Sequence, residues 1–377
     1  MLGGAMKRLI VPLLVTLLLG LLSSPTYAGK AYWRYVSGHV AHYYPDADFY
    51  FFTKNYIRLA KKAGFTHLTI SGFLSETKGM EINRQRLAEM VNQIHAQGLK
   101  VNLKPHILGA DWVKPLPKTN RAFFKWYTKS IVKTARLAEE NDIEILTFGT
   151  ELSNESVSIA PWIGITEKYE KEWDKLIDKI RAVYSGKLSY AANSLPRIEW
   201  NIYENVVFWD RMDIIGIDLY PTWLVDGDRN PSVAKIVRAW HKSYYNGDQW
   251  IKHIRQWKEK NYPEKFLILS EIAFPSWDGA VNYPSVGTCN LADEPFLGKF
   301  RYNRKPSLKD QRDQIRGFHS AFRNEDWLDG VDYFLWYWGL ENHPDYGPCS
   351  YQLTGPGRAA STKLIARWVK RYRKRAR

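Results

Sequence analysis

Residues 144–150, Glu144-Ile145-Leu146-Thr147-Phe148-Gly149-Thr150, decide the fold, and Glu151-Leu152-Ser153-Asn154 follows them. The run is apolar on both faces, as a strand buried in a parallel sheet is, and it ends in polar residues. Amphipathic helical patterns flank it at Asn120–Glu140 and Thr166–Tyr184. A strand between two helices is one unit of an α/β fold, and the unit recurs in both directions. Upstream lie candidate strands Tyr35–Tyr43, His67–Gly72 and Lys100–His106; downstream lie Lys187–Asn193, Asp213–Leu219, Phe266–Ile272 and Gly330–Trp338. Helical patterns fill the intervals at Asp48–Ala63, closed by Gly64, and at Asn83–Gln97, closed by Gly98. Others fall at Ala234–Lys260, Leu308–Asn324 and Lys363–Arg373, while Arg197–Trp209 carries the weakest helical pattern. Eight strands alternating with helices predict a single-domain α/β fold, a (β/α)8 barrel spanning 29–377. The long loop Pro275–Pro306, after the seventh strand, is the main insertion, and its length suggests a functional loop.

Enzymes of this architecture work at the C-terminal ends of their strands. Polar and aromatic residues collect there: Lys104-Pro105-His106 with Asp111 and Trp112 behind, Thr150-Glu151, Asn193, Asp218-Leu219-Tyr220, Ser270-Glu271 and Trp336-Tyr337-Trp338. A single strand-end glutamate can equally well pair with a lysine or cap a helix. Glu151 and Glu271 end the fourth and seventh strands, which face each other across a barrel mouth. Glycoside hydrolysis needs such a pair, one carboxyl to protonate the departing oxygen and one to attack the anomeric carbon.

The strings Asn102-Leu103-Lys104-Pro105-His106, Gly149-Thr150-Glu151-Leu152, Tyr190-Ala191-Ala192-Asn193, 213–221, Ser270-Glu271-Ile272 and Trp336-Tyr337-Trp338 together resemble glycoside hydrolase family 113. These are the β-mannanase-like TIM barrels of the retaining clan A. The resemblance spans most of residues 31–370. It implies a retaining endo-β-1,4-mannanase with Glu151 as acid/base, Glu271 as nucleophile and Tyr220 hydrogen-bonded to the nucleophile. Trp338 resembles the aromatic floor of the sugar site next to the cleaved bond. Clan A commonly has Asn immediately before the acid/base to hold the sugar 2-hydroxyl; here that residue is Thr150.

Lys104, His106, Trp112 and Asn193 are expected to contact sugar hydroxyls or ring faces. Asp218 contacts sugar or else orients Lys104 or His106. Trp162, Trp223, Trp277 and Trp336 also lie in or beside rim loops, where stacking on sugar competes with loop packing. No metal is expected, since neither a His-x-x-x-His spacing nor a calcium loop occurs. No Gly-x-Ser-x-Gly elbow and no phosphate-cradling loop occur either, and no cofactor is expected. Two rivals stand beside the mannanase reading: a glycan-binding barrel without catalysis, and a glycosidase acting on a different exopolysaccharide, an acidic one among the candidates.

Composition sets the remaining expectations. Hydrophobic residues are 45% and charged residues 25%, which excludes global disorder. Residues 1–28 read as an export signal: basic Lys7-Arg8, apolar Leu9–Leu22, then Pro25 and small Thr26 and Ala28 before a cleavage point. A periplasmic or extracellular destination follows. Cys289 and Cys349, the only two cysteines, would form a disulfide between the seventh and eighth strand loops. The formal net charge is +15, and eight Lys/Arg with no acid occupy Lys363–Arg377. Such a tail is either a solvated helix end or a seat for an anionic glycan or lipid surface. Nucleic acid is not expected as a partner, and the protein is expected to be a monomer.

Overall fold

A computed structural model of the chain describes residues 32–41, 49–75, 79–80, 84–107, 120–152, 169–194, 202–287, 304–337, 348–355 and 357–374. The strands are β1 (Tyr35–Ala41), β2 (His67–Ser75), β3 (Gly79–Met80), β4 (Lys100–Ile107), β5 (Ile145–Thr150), β6 (Lys187–Ser194), β7 (Ile214–Leu219), β8 (Phe266–Ala273) and β9 (Gly330–Tyr337). The helices are α1 (Phe49–Ala63), α2 (Arg84–Ala96), α3 (Asn120–Glu140), α4 (Glu170–Arg181), α5 (Val233–His241), α6 (Trp250–Asn261), α7 (Leu308–Ala321) and α8 (Ala359–Lys374). Eight strands pair in parallel in the order β1-β9-β8-β7-β6-β5-β4-β2, and β1 pairs with β2 to close the ring. The two-residue β3 folds back antiparallel on β2. This is the expected (β/α)8 TIM barrel, one domain over most of the chain.

Side-chain alternation divides each strand between two environments. Val36, Val40, Leu68, Ile70, Val101, Leu103, Ile215 and Ile217 face outward and join the helices in one continuous core. Each such fully buried side chain contributes on the order of 1.5–3 kcal/mol. The interior is layered. Tyr35, Ile145, Ile214 and Ile268 plug the bottom as a small separate apolar cluster. Ser37, Thr69, Asn102, Thr147 and Asp332 form a buried polar layer above it, and His39, Ser71, Lys104, Asp218 and Ser270 a second one.

Several element boundaries depart from the sequence reading. The pattern at 234–260 is two helices, because Lys242 leaves α5 in extended conformation and Ser243 N bonds to Asp248 O in a turn before α6. In the fifth connection the described part of 197–209 has no α-helix. It makes 3-10 turns at Tyr203–Asn205 and Trp209–Arg211, held by burial of Tyr203 and Trp209 and by Trp209 Nε1 donating to Tyr203 O at 2.8 Å. The helix of the fourth connection spans Glu170–Arg181, narrower than 166–184. The basic run of the C-terminus belongs to α8 as far as Lys374: Leu364, Ile365, Val369 and Tyr372 are buried, and Tyr372 stacks on Trp33 at 3.8 Å. Trp336 is not a rim aromatic. It is fully buried among the helices, 4.5 Å from the Phe65 ring, with Nε1 donating to Tyr56 O at 3.1 Å. Among the described residues no helix is long and apolar enough to cross a membrane.

Candidate active site

Strict alternation would turn Glu271 away from the barrel interior, on the face of Leu269. A β-bulge prevents this. Ile217 pairs with Leu269, yet Asp218 pairs with Glu271, so β8 carries one extra residue at the site. The matching shift against β9 lies between Leu269 and Ile272. Ser270 and Glu271 therefore both reach the interior, the re-aiming that bulges commonly perform beside active sites. β5 has the same device: Thr147 pairs with Ser189 and Thr150 with Ala191, three residues against two. Glu151 follows in left-handed backbone conformation (φ +49°), its N–H donating to Ala191 O at 2.9 Å. That conformation is uncommon for a non-glycine residue and aims the carboxyl over the mouth.

Lys104 Nζ is the hub of the site. It donates to Glu271 Oε1 at 2.6 Å, to Asp218 Oδ1 and Oδ2 at 3.2 and 3.3 Å, and to Ser270 O at 3.1 Å. Tyr220 OH donates to the other Glu271 oxygen, Oε2, at 2.6 Å, and Ser270 Oγ to Asp218 Oδ1 at 2.6 Å. One oxygen from each of Glu151, Asp218 and Glu271 lies within 4.8 Å of the others. His106 Nε2 is 3.8 Å from Glu271 Oε1 and has no hydrogen-bond partner among the described residues.

Three carboxyls share one ammonium, and position decides how the charge divides. Burial would raise Glu271, but the Lys104 contact outweighs it and brings the carboxyl down to about 2. Asp218 is raised to about 7 by burial and by the Glu271 charge, against the pull of Lys104. Glu151, partly exposed and without a cation of its own, is pushed well above the carboxylate range by burial and then by Asp218 and Glu271. Lys104 is raised, its two carboxylates overcoming desolvation, and stays charged. Burial first, then Lys104, lowers His39 to about 3; His106, lowered by burial to about 4, is also neutral. At neutral pH the site thus holds an ionised Glu271 and a protonated Glu151. The carboxylate cluster meets the proximity a metal ion requires, as does the group His39, His106 and Glu271. In both, however, Lys104 Nζ already supplies the cation at hydrogen-bond distance.

Of the residues predicted from sequence, Lys104, His106, Asp218, Tyr220, Glu151 and Glu271 converge. Asn193 is buried at the end of β6, in register with Asp218. Trp112, Trp162, Trp338 and Cys289 lie outside the described residues. Cys349 is buried in a small cluster with Trp277, Ala280, Tyr283 and Val286, and no cysteine among the described residues is free. Trp277, expected beside the rim, is fully buried in that cluster. Thr150 Oγ1 donates to Pro105 O at 3.3 Å. The sequence reading missed His39, Ser71 and Asp332. His39 joins Ser71 Oγ (2.9 Å) to Ser270 O (3.2 Å), and Asp332 Oδ2 lies 3.5 Å from its Nε2. Polar residues every second position in Ser37-Gly38-His39 were the available signal.

The sequence model described as Glycoside Hydrolase Family 113 matches residues 52–348. Among solved structures, a GH113 β-mannanase from Alicyclobacillus acidocaldarius aligns with TM-score 0.62 at 20% identity, over 91% of this chain and 98% of that one. A second GH113 β-1,4-mannanase aligns with TM-score 0.60 at 16% identity, over 90% and 99%. An endo-β-1,4-mannanase from Thermotoga petrophila aligns with TM-score 0.54 at 10% identity, over 92% and 78%. A comparison with curated protein sequences finds no match.

Proposed function

The chain belongs to glycoside hydrolase family 113 and is a glycoside hydrolase, and from that premise we propose that it cleaves a β-linked polysaccharide, β-1,4-mannan first, by retaining double displacement. The observation that carries the proposal is the unequal pair. Glu271 is ionised between Lys104 and Tyr220, and Glu151 is protonated with an oxygen within 4.8 Å of it. Retaining enzymes hold their carboxyls about 5–5.5 Å apart, inverting ones roughly 6.5–9.5 Å. Glu271 attacks the anomeric carbon while Glu151 passes its proton to the departing glycosidic oxygen. The resulting glycosyl ester removes the negative charge facing Glu151, whose pKa falls. Glu151 then takes a proton from water as that water attacks the anomeric carbon and frees the Glu271 carboxylate. Tyr220 and Lys104 hold the two oxygens of Glu271, and the open Nε2 of His106 is available to a sugar hydroxyl.

Proton NMR of the first product from mannan tests the stereochemistry. A β-anomer is expected, and an α-anomer would sink the retaining step. Glu271→Ala should lose all measurable turnover. One observation favours a second reading, another β-linked glycan: Thr150 bonds back to Pro105 O in place of reaching a 2-hydroxyl. Hydrolysis of mannan, glucomannan, xylan, β-glucan and an acidic exopolysaccharide, compared side by side, separates the two readings.

The proposal extends to export by residues 1–28, to action outside the cytoplasm as a monomer, and to a Cys289–Cys349 bridge. Free-thiol titration of denatured, unreduced mature protein should find no thiol; two per chain would exclude the bridge. The basic end of α8 is either a solvated face or a contact for anionic glycan or lipid. Neutralising Arg371, Arg373, Lys374, Arg375 and Arg377 should weaken retention on an anionic matrix only in the second case.

A further inference from the structure

Few large apolar side chains among the described residues are exposed, and two of them are adjacent: Tyr244 (43%) and Tyr245 (55%). Tyr244 is engaged, its OH accepting from Arg238 Nε at 3.1 Å and Lys235 Nζ lying 5.1 Å from its ring centre. Tyr245 is turned instead against Trp223, with ring centres 5.8 Å apart and planes tilted by 33°. Trp223 is half-buried and stands three residues beyond Tyr220, the residue that touches Glu271. Trp223 therefore belongs to the loop that leads on from Tyr220, and Tyr245 packs on it.

The platform is built rigidly. Trp223 has left-handed backbone conformation (φ +56°), and its N–H donates to Asn282 O at 2.9 Å. Fully buried Asn282 accepts from Val225 N and Gly227 N, both at 3.2 Å, and donates to Asp228 O at 2.9 Å. Tyr283 meets the Trp223 ring edge-on at 4.9 Å from the opposite loop. Two loops are thus locked together to hold one tryptophan, and an exposed tyrosine leans on it. Strain and exposed aromatic area maintained together point to a ligand. Charges nearby are paired, Lys235 with Asp228 and Arg229 with Asp278, and Arg238 is taken up by Tyr244 OH. With those cations already partnered, the aromatic faces suit the C–H faces of an uncharged sugar.

We propose that Tyr245, backed by Trp223, is a stacking site for a neutral polysaccharide chain running along the rim from the Glu151–Glu271 cleft. The inference rests on the glycoside hydrolase reading of that cleft. Its contribution is to long substrates, whose chain runs past the carboxylates onto Tyr245.

The test compares Tyr245→Ala and Tyr245→Phe with wild type. It uses kcat/KM on glucomannan and on a short manno-oligosaccharide, with retardation in native gels containing glucomannan or a polyuronate. Tyr245→Ala should raise KM on the polymer about threefold to tenfold, the size of one aromatic contact, and reduce retardation. The short substrate should be unaffected, and Tyr245→Phe should behave as wild type. Equal polymer KM and retardation for Tyr245→Ala and wild type overturns the site, as does a wild type that glucomannan does not retard. Stronger retardation by polyuronate overturns the neutral class. A wild type that binds glucomannan through Tyr245 but cleaves no β-glycan leaves the stacking site standing and defeats the catalytic reading.

Discussion

β4 and β7 keep regular register through the site, whereas β5 and β8 each carry one extra residue just before their glutamate. The regular strands place Lys104, His106, Asp218 and Tyr220 by alternation alone, at intervals of two. The bulged strands break alternation to bring in the two carboxyls. The difference separates two tasks. Regular register builds a fixed, fully buried frame of Lys104 and Asp218. The bulges then set each glutamate against that frame at a different distance from the ammonium, and this distance divides the proton between them.

The comparison is sharpened most by removing the glutamate that lacks a cation. Glu151→Ala should lower kcat about 10²–10⁴-fold for substrates with poor leaving groups, the range of general acid catalysis, and much less for activated aryl glycosides. Azide should partly restore turnover and yield a β-glycosyl azide. Equal losses on both substrate types would return Glu151 to a binding role.

The next largest effect comes from the β5 bulge. A Cβ on Gly149 would lie 2.7 Å from Tyr190 Cε2 and 2.9 Å from Leu152 Cδ1, both in the packed core. Gly149→Ala should cost about 1–3 kcal/mol of stability by overpacking and should displace Glu151. Its kcat should fall further than that of a variant destabilised equally elsewhere, and chemical denaturation beside kinetics checks this. If kcat is unchanged, the bulge does not set the glutamate's position.

A smaller effect tests the frame. Asp218→Asn removes a negative charge that raises Glu151 and competes for Lys104. Glu151 then releases its proton at lower pH, so the alkaline limb of kcat/KM should move down. Glu271 keeps Lys104 to itself, so the acid limb, set near 2, should not rise. An alkaline limb that stays put would place the controlling proton on some other group.

Much of this was legible in the sequence, and the illegible part has a common cause. The eight barrel strands and the converging Lys104, His106, Asp218, Tyr220, Glu151 and Glu271 followed from apolar runs and from what ends them. The bulges did not, because register is a property of two paired strands and a single strand's pattern does not contain it. The place of Trp336, left open between sugar stacking and packing, is hidden for the same reason: Gly38 pairs with Tyr333 and Val40 with Tyr337, and this local shift turns the indole outward onto Phe65. The pattern at 234–260 concealed its turn because both halves present the same apolar spacing. Asp332 stands as a single acid within the apolar run of β9, and a buried acid in such a run is itself informative.

Asp332 marks the lower limit of the comparison, a carboxyl that the frame buries without giving it a cation. Its Oδ2 accepts from Tyr35 OH at 3.0 Å and from Thr69 Oγ1, and Oδ1 has no hydrogen-bond partner among the described residues. Burial raises its pKa to about 8, outweighing the lowering by Thr69, Lys104 and Tyr35. The folded protein therefore keeps this proton across a pH range in which the unfolded chain, titrating near 4, has released it. The folded state binds more protons there, so this group's contribution to stability falls as pH rises from about 4 to 8, by up to about 1.4 kcal/mol per unit. Asp332→Asn keeps the shape and removes the titration. Its activity should change least of all these variants, and its advantage in denaturation midpoint over wild type should grow from pH 5 to pH 8. Parallel midpoint curves for the two proteins would mean that Asp332 is ionised when folded, and that the lower layer also draws its charge balance from Lys104.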